Sequence, residues 1–162
     1  MYLQCETIRI QTPIPGKPFA GIEVPKKIEN RNTPKVQVGE VLEKDFYGKR
    51  VKGEISEFDI FWSTKIANCD GLIISAPFWD MSIPAALKVF FELCSIFDVT
   101  FKSDNKTCFG NCRAEKMLYI TTRGMDIPTG DVLEQATPYL KALSWLWGIG
   151  PLQVVAAQNL DY

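Results

Sequence analysis

The sequence predicts an α/β protein: a doubly wound parallel sheet with helices on both faces. Three observations carry this reading. Apolar runs of strand length recur at 71–75, 117–121 and 151–157, helical patterns fall between them, and the connections are short. Parallel strands need a crossover, usually a helix, so alternation of this kind implies a parallel sheet buried on both sides.

In chain order, the first fifty residues give the fewest signals. Pro13, Pro15, Pro18, Pro25 and Pro34 prevent long helices. Residues 7–10 alternate like a strand and read as an outer one, a second candidate strand lies at 22–24, and 41–47 suits a short helix. Residues 58–69 carry Phe58, Ile60, Phe61, Ile66 and Ala67 at helical spacing until Asn68-Cys69-Asp70 breaks the pattern. The run Gly71-Leu72-Ile73-Ile74-Ser75 then reads as a strand covered on both faces.

Ser82 or Ile83 opens the next helix, with Pro84 in its first turn. Along 85–96 the only polar residues are Lys88, Glu92 and Ser95, a single narrow stripe. The rest of that circumference is apolar and calls for cover by the sheet and by something else, a partner subunit being the natural candidate. Residues 99–101 are extended and 103–115 read as a polar loop. After the strand at 117–121, Thr129 or Gly130 caps a helix whose first turns carry Asp131 and Glu134, favourable for the helix dipole. Pro138 kinks or restarts it, and Gly148 stops it.

At 162 residues the chain reads as one domain, with 46% hydrophobic and 23% charged residues and a formal charge of −1. That balance argues against nucleic acid as a partner. Without an apolar run long enough to span a bilayer or a signal-peptide layout, no membrane association is expected. Five cysteines without regular spacing read as reduced thiols, hence a cytoplasmic protein. Cys108 and Cys112 have three residues between them and no second pair, so no metal site is expected. Because histidine is absent, neither a Ser-His-Asp nor a Cys-His nucleophile can be assembled, and demanding chemistry falls to a cofactor.

The chemistry concentrates in two loops at the carboxyl ends of neighbouring strands, where ligands bind in open α/β sheets. One is Pro77-Phe78-Trp79-Asp80-Met81 and the other Thr122-Arg123-Gly124-Met125. Together they offer flat apolar surface, backbone donors, a glycine permitting close approach and one cation, which suits a planar heteroaromatic ring with polar edges, such as a flavin. Each residue also has a plainer reading. Phe78, Trp79 and Met81 suit a hydrophobic lid on the sheet end, Asp80 a helix cap, Arg123 a surface charge, and Trp145 and Trp147 core or interface.

The run from Ala76 through Pro77-Phe78-Trp79-Asp80-Met81-Ser82-Ile83-Pro84 to Ala85-Ala86-Leu87-Lys88 resembles the flavin loop of FMN-dependent NADH:quinone oxidoreductases of the azoreductase type. Asp98-Val99-Thr100-Phe101-Lys102 resembles the segment after that family's helix, and Tyr119-Ile120-Thr121-Thr122-Arg123-Gly124 its second flavin loop. Pro138-Tyr139-Leu140-Lys141 and Gly148-Ile149 fit the later helix and turn. Residues 57–162 match well and 1–56 poorly.

The resemblance implies a flavodoxin-like fold, a homodimer and FMN near the subunit interface. NADH or NADPH would be the co-substrate, and a quinone-like or azo small molecule the acceptor. By position, Pro77, Phe78, Trp79, Asp80 and Met81 would line the flavin ring, with Thr122, Arg123 and Gly124 at its other edge and no residue in a catalytic role. Asp80 stands where the family often has asparagine. Two family features are missing from this reading: an N-terminal strand with its serine-rich phosphate loop, and a helix after the last strand. The sheet is therefore expected to be incomplete at both ends, as in a fragment or altered product, unless the N-terminal region supplies a replacement strand.

Overall fold

The strand expected at the rim of the sheet lies inside it. The computed structural model describes residues 7–11, 35–37 and 46–160. Its first strand, β1 (Thr7–Gln11), pairs in parallel on one side with β2 (Lys35–Gln37) and on the other with β3 (Gly71–Ser75). Ile10 faces Val36 and Ile74 across the two ladders and is fully buried. The remaining strands are β6 (Lys116–Thr122) and β7 (Leu152–Ala157), giving the all-parallel order β2-β1-β3-β6-β7. This is the flavodoxin order 2-1-3-4-5, with its switch point between β1 and β3. The reading of residues 7–10 as an outer strand, and of the inner first strand as missing, is thereby corrected. A four-residue alternating pattern does not reveal whether it has one neighbour or two. The candidate strand at 22–24 falls outside the described residues, as do the segment after β1, where the reading found no phosphate loop, and most of the helix placed at 41–47. A helix is present just beyond, α1 (Phe46–Val51).

Helix α2 (Glu57–Asn68) begins at a reciprocal cap. The Asp59 N–H donates to Ser56 Oγ at 3.2 Å, and the Ser56 N–H donates to Asp59 Oδ2 at 2.9 Å. Its Trp62 and Phe58 both meet Phe90 of α3 (Ala85–Cys94) in edge-on ring contacts. On the other side of α3, Phe91 packs edge-on against Trp147 of α4 (Ala136–Trp147), ring centroids 5.8 Å apart. Leu87, Phe90, Phe91, Leu93 and Cys94 are all fully buried; each large side chain so removed from water contributes about 1.5–3 kcal/mol. Much of the apolar circumference of α3 is thus covered within the same chain, with Ala85 left exposed and Ala86 and Val89 half-buried. Trp147 belongs to the core, its Nε1 donating to Ser95 Oγ at 3.1 Å, whereas Trp145 is exposed.

Two boundaries differ from the sequence reading. Residues 103–115 contain strand β5 (Cys108–Gly110), antiparallel to β4 (Phe101–Ser103). The turn between them is held by Asp104 Oδ1, which accepts the N–H groups of Lys106 and Thr107 at 3.1 and 3.0 Å, and by Asn105 with φ 69°. Helix α4 starts at Ala136 rather than near Gly130. The segment before it forms turns, and Pro138 sits in the first turn, where its missing N–H costs nothing. Gly148, with φ 71°, ends the helix as expected, and a Cβ built on Gly110 would overlap its backbone.

Candidate functional site

Strands β3 and β6 are neighbours in register, Gly71 opposite Lys116 and Ser75 opposite Ile120, so their carboxyl ends emerge together. Their pairing continues past the strand ends: the Ala76 N–H donates to the Ile120 carbonyl and the Phe78 N–H to the Thr122 carbonyl, both at 3.1 Å. The two predicted loops are therefore brought side by side beside the switch point.

After Phe78 the chain makes a tight turn. Trp79 and Ser82 exchange main-chain hydrogen bonds of 3.0 and 2.9 Å, and Asp80 and Met81 between them have φ of 50° and 62°. Both central residues with positive φ is the type I′ geometry, which aspartate tolerates at the first position but which is costly for a bulky side chain such as methionine at the second. Its Met81 carbonyl accepts the Gln135 N–H at 2.9 Å, which fixes the turn to the start of α4. The geometry leaves Trp79, Asp80 and Met81 exposed, Phe78 half-buried and Pro77 buried. Among the described residues, the N–H groups of Asp80, Met81 and Gly124 have no hydrogen-bond partner. Asp80 is not the cap of α3, whose N-cap is Pro84 without any side-chain bond.

Thr122 and Gly124 are partly exposed in the second loop, whereas Arg123 points inward and is 0% exposed. It is not the surface charge of the plainer reading. Its guanidinium lies 5.2 Å from the Phe78 ring centroid, donates from Nη1 to the Ile127 carbonyl at 2.7 Å, and approaches Glu134 Oε1 to 3.7 Å. Glu134, also 0% exposed, accepts the Thr137 N–H at 2.9 Å in the first turn of α4. Sequence reasoning took Glu134 for a helix-dipole charge. A single acid in a helix start carries no signal that it is buried, although its spacing from Thr137 fits a local cap.

Next to the turn, Trp79, Asp80, Ile83, Pro84, Lys88 and Tyr139 line a cleft of about 470 Å³. The Lys88 ammonium stands 5.1 Å from the Tyr139 ring centroid and is ion-paired with Glu92 one turn along α3. Burial, reinforced by Glu92, raises the Tyr139 phenol above its ordinary range. Beneath the loops, Tyr119 Oη donates to Thr121 Oγ1 at 3.1 Å, and burial pushes its pKa up to about 12.

Among the described residues no helix is long and apolar enough to cross a membrane. Among the described residues, Cys69, Cys94, Cys108 and Cys112 are not joined in disulfides.

The chain resembles known proteins at both sequence and structural level. It is 29% identical over 102 residues to an FMN-dependent NADH:quinone oxidoreductase of Clostridium acetobutylicum, covering 62% of this chain and 51% of the relative. A second relative, from Clostridium perfringens, is 30% identical over 100 residues, 62% and 50% of the two chains. The chain spans about half the length of the curated relatives it matches. The crystal structure of an FMN-dependent NADH-azoreductase from Bacillus anthracis in complex with FMN superposes with TM-score 0.69 at 19% identity, over 98% of this chain and 89% of that one. An NAD(P)H:quinone oxidoreductase from Methanothermobacter marburgensis gives TM-score 0.57 at 13% identity, over 94% and 87%. At such identities the structural likeness establishes the fold. The profile of a family described as having a flavodoxin-like fold matches residues 52–162. From β3 through β7 the strands, the crossover helices and both loops lie within the matched span, and the protein belongs to this flavodoxin-like fold family.

Proposed function

We propose that this chain is an FMN-dependent NAD(P)H oxidoreductase, passing electrons through bound flavin to a quinone or azo acceptor. The observation that carries the reading is the pair of loops joined by the 3.1 Å bond from the Phe78 N–H to the Thr122 carbonyl, at the carboxyl edge of a 2-1-3-4-5 sheet. When bound, FMN supplies two-electron acceptance from a dihydronicotinamide and delivery onward.

The residues present fit such a group. Trp79 and Met81 offer exposed apolar surface, and the unpartnered N–H groups of Asp80, Met81 and Gly124 suit the acceptor atoms along a flavin's polar edge. Pro77, Phe78 and Thr122 complete the walls. Arg123, turned inward, contributes from beneath rather than by its own contact. The chain contains no histidine, and hydride transfer to a flavin asks for no protein acid or base.

The cleft beside Trp79 and Tyr139 is the natural place for a flat acceptor. A second copy of this chain is the proposed partner, with the exposed turn at its surface, and the cytoplasm the proposed compartment. Titrating FMN into purified protein should quench flavin fluorescence and give a yellow complex that oxidises NADH when a quinone is added. A folded, colourless protein that leaves added FMN fluorescence unchanged overturns the reading. Sedimentation velocity tests the dimer separately.

A further inference from the structure

Arg123 and Glu134 form a buried pair that the proposed chemistry does not use. Both side chains are 0% exposed, and their 3.7 Å approach is longer than a charge-assisted hydrogen bond. Arg123 Nε and Nη2 and Glu134 Oε2 have no hydrogen-bond partner, and Thr137 Oγ1 beside them has none either. Burying a half-satisfied ionic network is worse for stability than filling the same space with apolar atoms. The pair therefore needs an explanation other than stability.

Its connections supply one. The Arg123 guanidinium meets the Phe78 ring of the first loop and bonds the Ile127 carbonyl just after the second. Its main-chain N–H donates to the Ala157 carbonyl at the end of β7, at 2.8 Å. Glu134 bonds the first turn of α4, and the neighbouring Gln135 N–H holds the Met81 carbonyl. The two residues thus reach the first loop at Phe78, the segment after the second loop at Ile127, the start of α4 and the end of β7, and the tight turn is tied to them through the neighbouring Gln135.

We infer that Arg123, with Glu134, is a positioning residue. It is a buried clamp that fixes the Phe78 ring and the strained Asp80–Met81 turn in the arrangement that receives a planar ring. The inference rests on the flavin reading for what the loops receive, but not for the clamping itself. Arginine suits the role because its planar cation stacks on an aromatic face while its fork donates in other directions, which lysine cannot reproduce. The turn, held at two positive-φ residues, is the kind of strained element that persists only when its surroundings over-determine it.

The test uses the double variant Arg123→Met/Glu134→Gln, which removes both charges and leaves an amide oxygen to accept the Thr137 N–H. Amide hydrogen exchange on the FMN-free protein is read at Phe78 and Gln135, with α2 amides as the internal reference. FMN affinity is measured by fluorescence quenching, and the melting temperature is recorded. The clamp predicts an unchanged or higher melting temperature, at least tenfold faster exchange at Phe78 and Gln135 with α2 unaffected, and at least tenfold weaker FMN binding. Arg123→Lys should recover only part of both losses.

Unchanged exchange at the two amides overturns the clamp whatever FMN does. Faster exchange confined to those amides, in a protein whose wild-type form takes up no FMN, supports the clamp and overturns the flavin reading alone. A lower melting temperature with uniformly faster exchange shows a merely structural pair and also overturns it. If the double variant does not fold, Arg123→Lys, which keeps the charge and loses the planar fork, is read by exchange and FMN affinity, and unchanged exchange at Phe78 and Gln135 overturns the clamp.

Discussion

Gly110 of β5 and Gly148 at the end of α4 meet backbone against backbone, with no room for a side chain between them. A Cβ on Gly110 would overlap the main chain of Gly148 and Trp147. The contact closes the β4–β5 hairpin onto the C-terminus of α4, where the Cys112 N–H also donates to the Trp147 carbonyl at 2.9 Å. Gly110→Ala should therefore destabilise the fold by about 2–3 kcal/mol, the cost of forcing packed backbone apart. Urea denaturation measures it, and a change below a few tenths would show that the hairpin moves freely.

Met81 is held at φ 62° by bonds on both sides of it, and its side chain is exposed. Glycine relieves a left-handed conformation that costs about 1 kcal/mol or more, less what it adds to the entropy of the unfolded chain. Met81→Gly should leave stability equal or slightly raised while weakening FMN binding by about tenfold, the equivalent of one lost apolar contact of about 1.4 kcal/mol. A stable variant with undiminished affinity would remove Met81 from the ring's wall.

Asp80 carries a carboxylate on the same turn, at φ 50°. Asparagine tolerates that backbone as well as aspartate does, so Asp80→Asn removes the charge and keeps the turn. A nearby anion disfavours an electron-rich ring, so the variant's bound flavin should have a more positive reduction potential. Potentiometric titration of wild type and variant at low and high salt reads this, and the difference should shrink as salt screens the charge. Equal potentials at low salt would place Asp80 away from the ring.

Burial raises the Tyr119 phenol from its ordinary 10.0 to about 12. Between those values the unfolded chain loses a proton that the folded chain keeps. Stability is therefore full below pH 10 and falls as the pH rises toward 12, by up to about 1.4 kcal/mol per pH unit. Tyr119→Phe should flatten that alkaline decline. Melting temperatures between pH 9 and 12 show it, and parallel curves for the two proteins would refute it.

The second half of the fold was legible because each of its signals is local. The apolar run at Gly71–Ser75 and the stop at Gly148 stand where expected. The two site loops were legible for the same reason, since loops after adjacent strands of a doubly wound sheet open together. What escaped depends on contacts distant in sequence. The place of β1 is set by its pairing with Val36 and Ile74 partners, not by its own five residues. Arg123 read as a free cation because its acid, Glu134, is separated by a loop, and only folding buries the two together. Part of the cover over α3, expected from the sheet and from something further such as a partner subunit, comes from Trp62 and Trp147 of the same chain.

The central position of β1 has a kinetic consequence. From β3 onward each strand of the main sheet joins the preceding strand of that sheet through one crossover, so this half can assemble from successive contacts. β1 must instead be captured from far along the chain, with Thr7 docking on Gly71 and Gln11 on Ser75. Closure of so long a loop is entropically costly and its contacts form late. Truncating the buried Ile10 to alanine should thus speed unfolding and leave the folding rate nearly unchanged in stopped-flow traces, with equal effects on both arms contradicting this order. The last strand to arrive then borders the switch point, and the ligand-binding edge becomes the latest part of the molecule to mature.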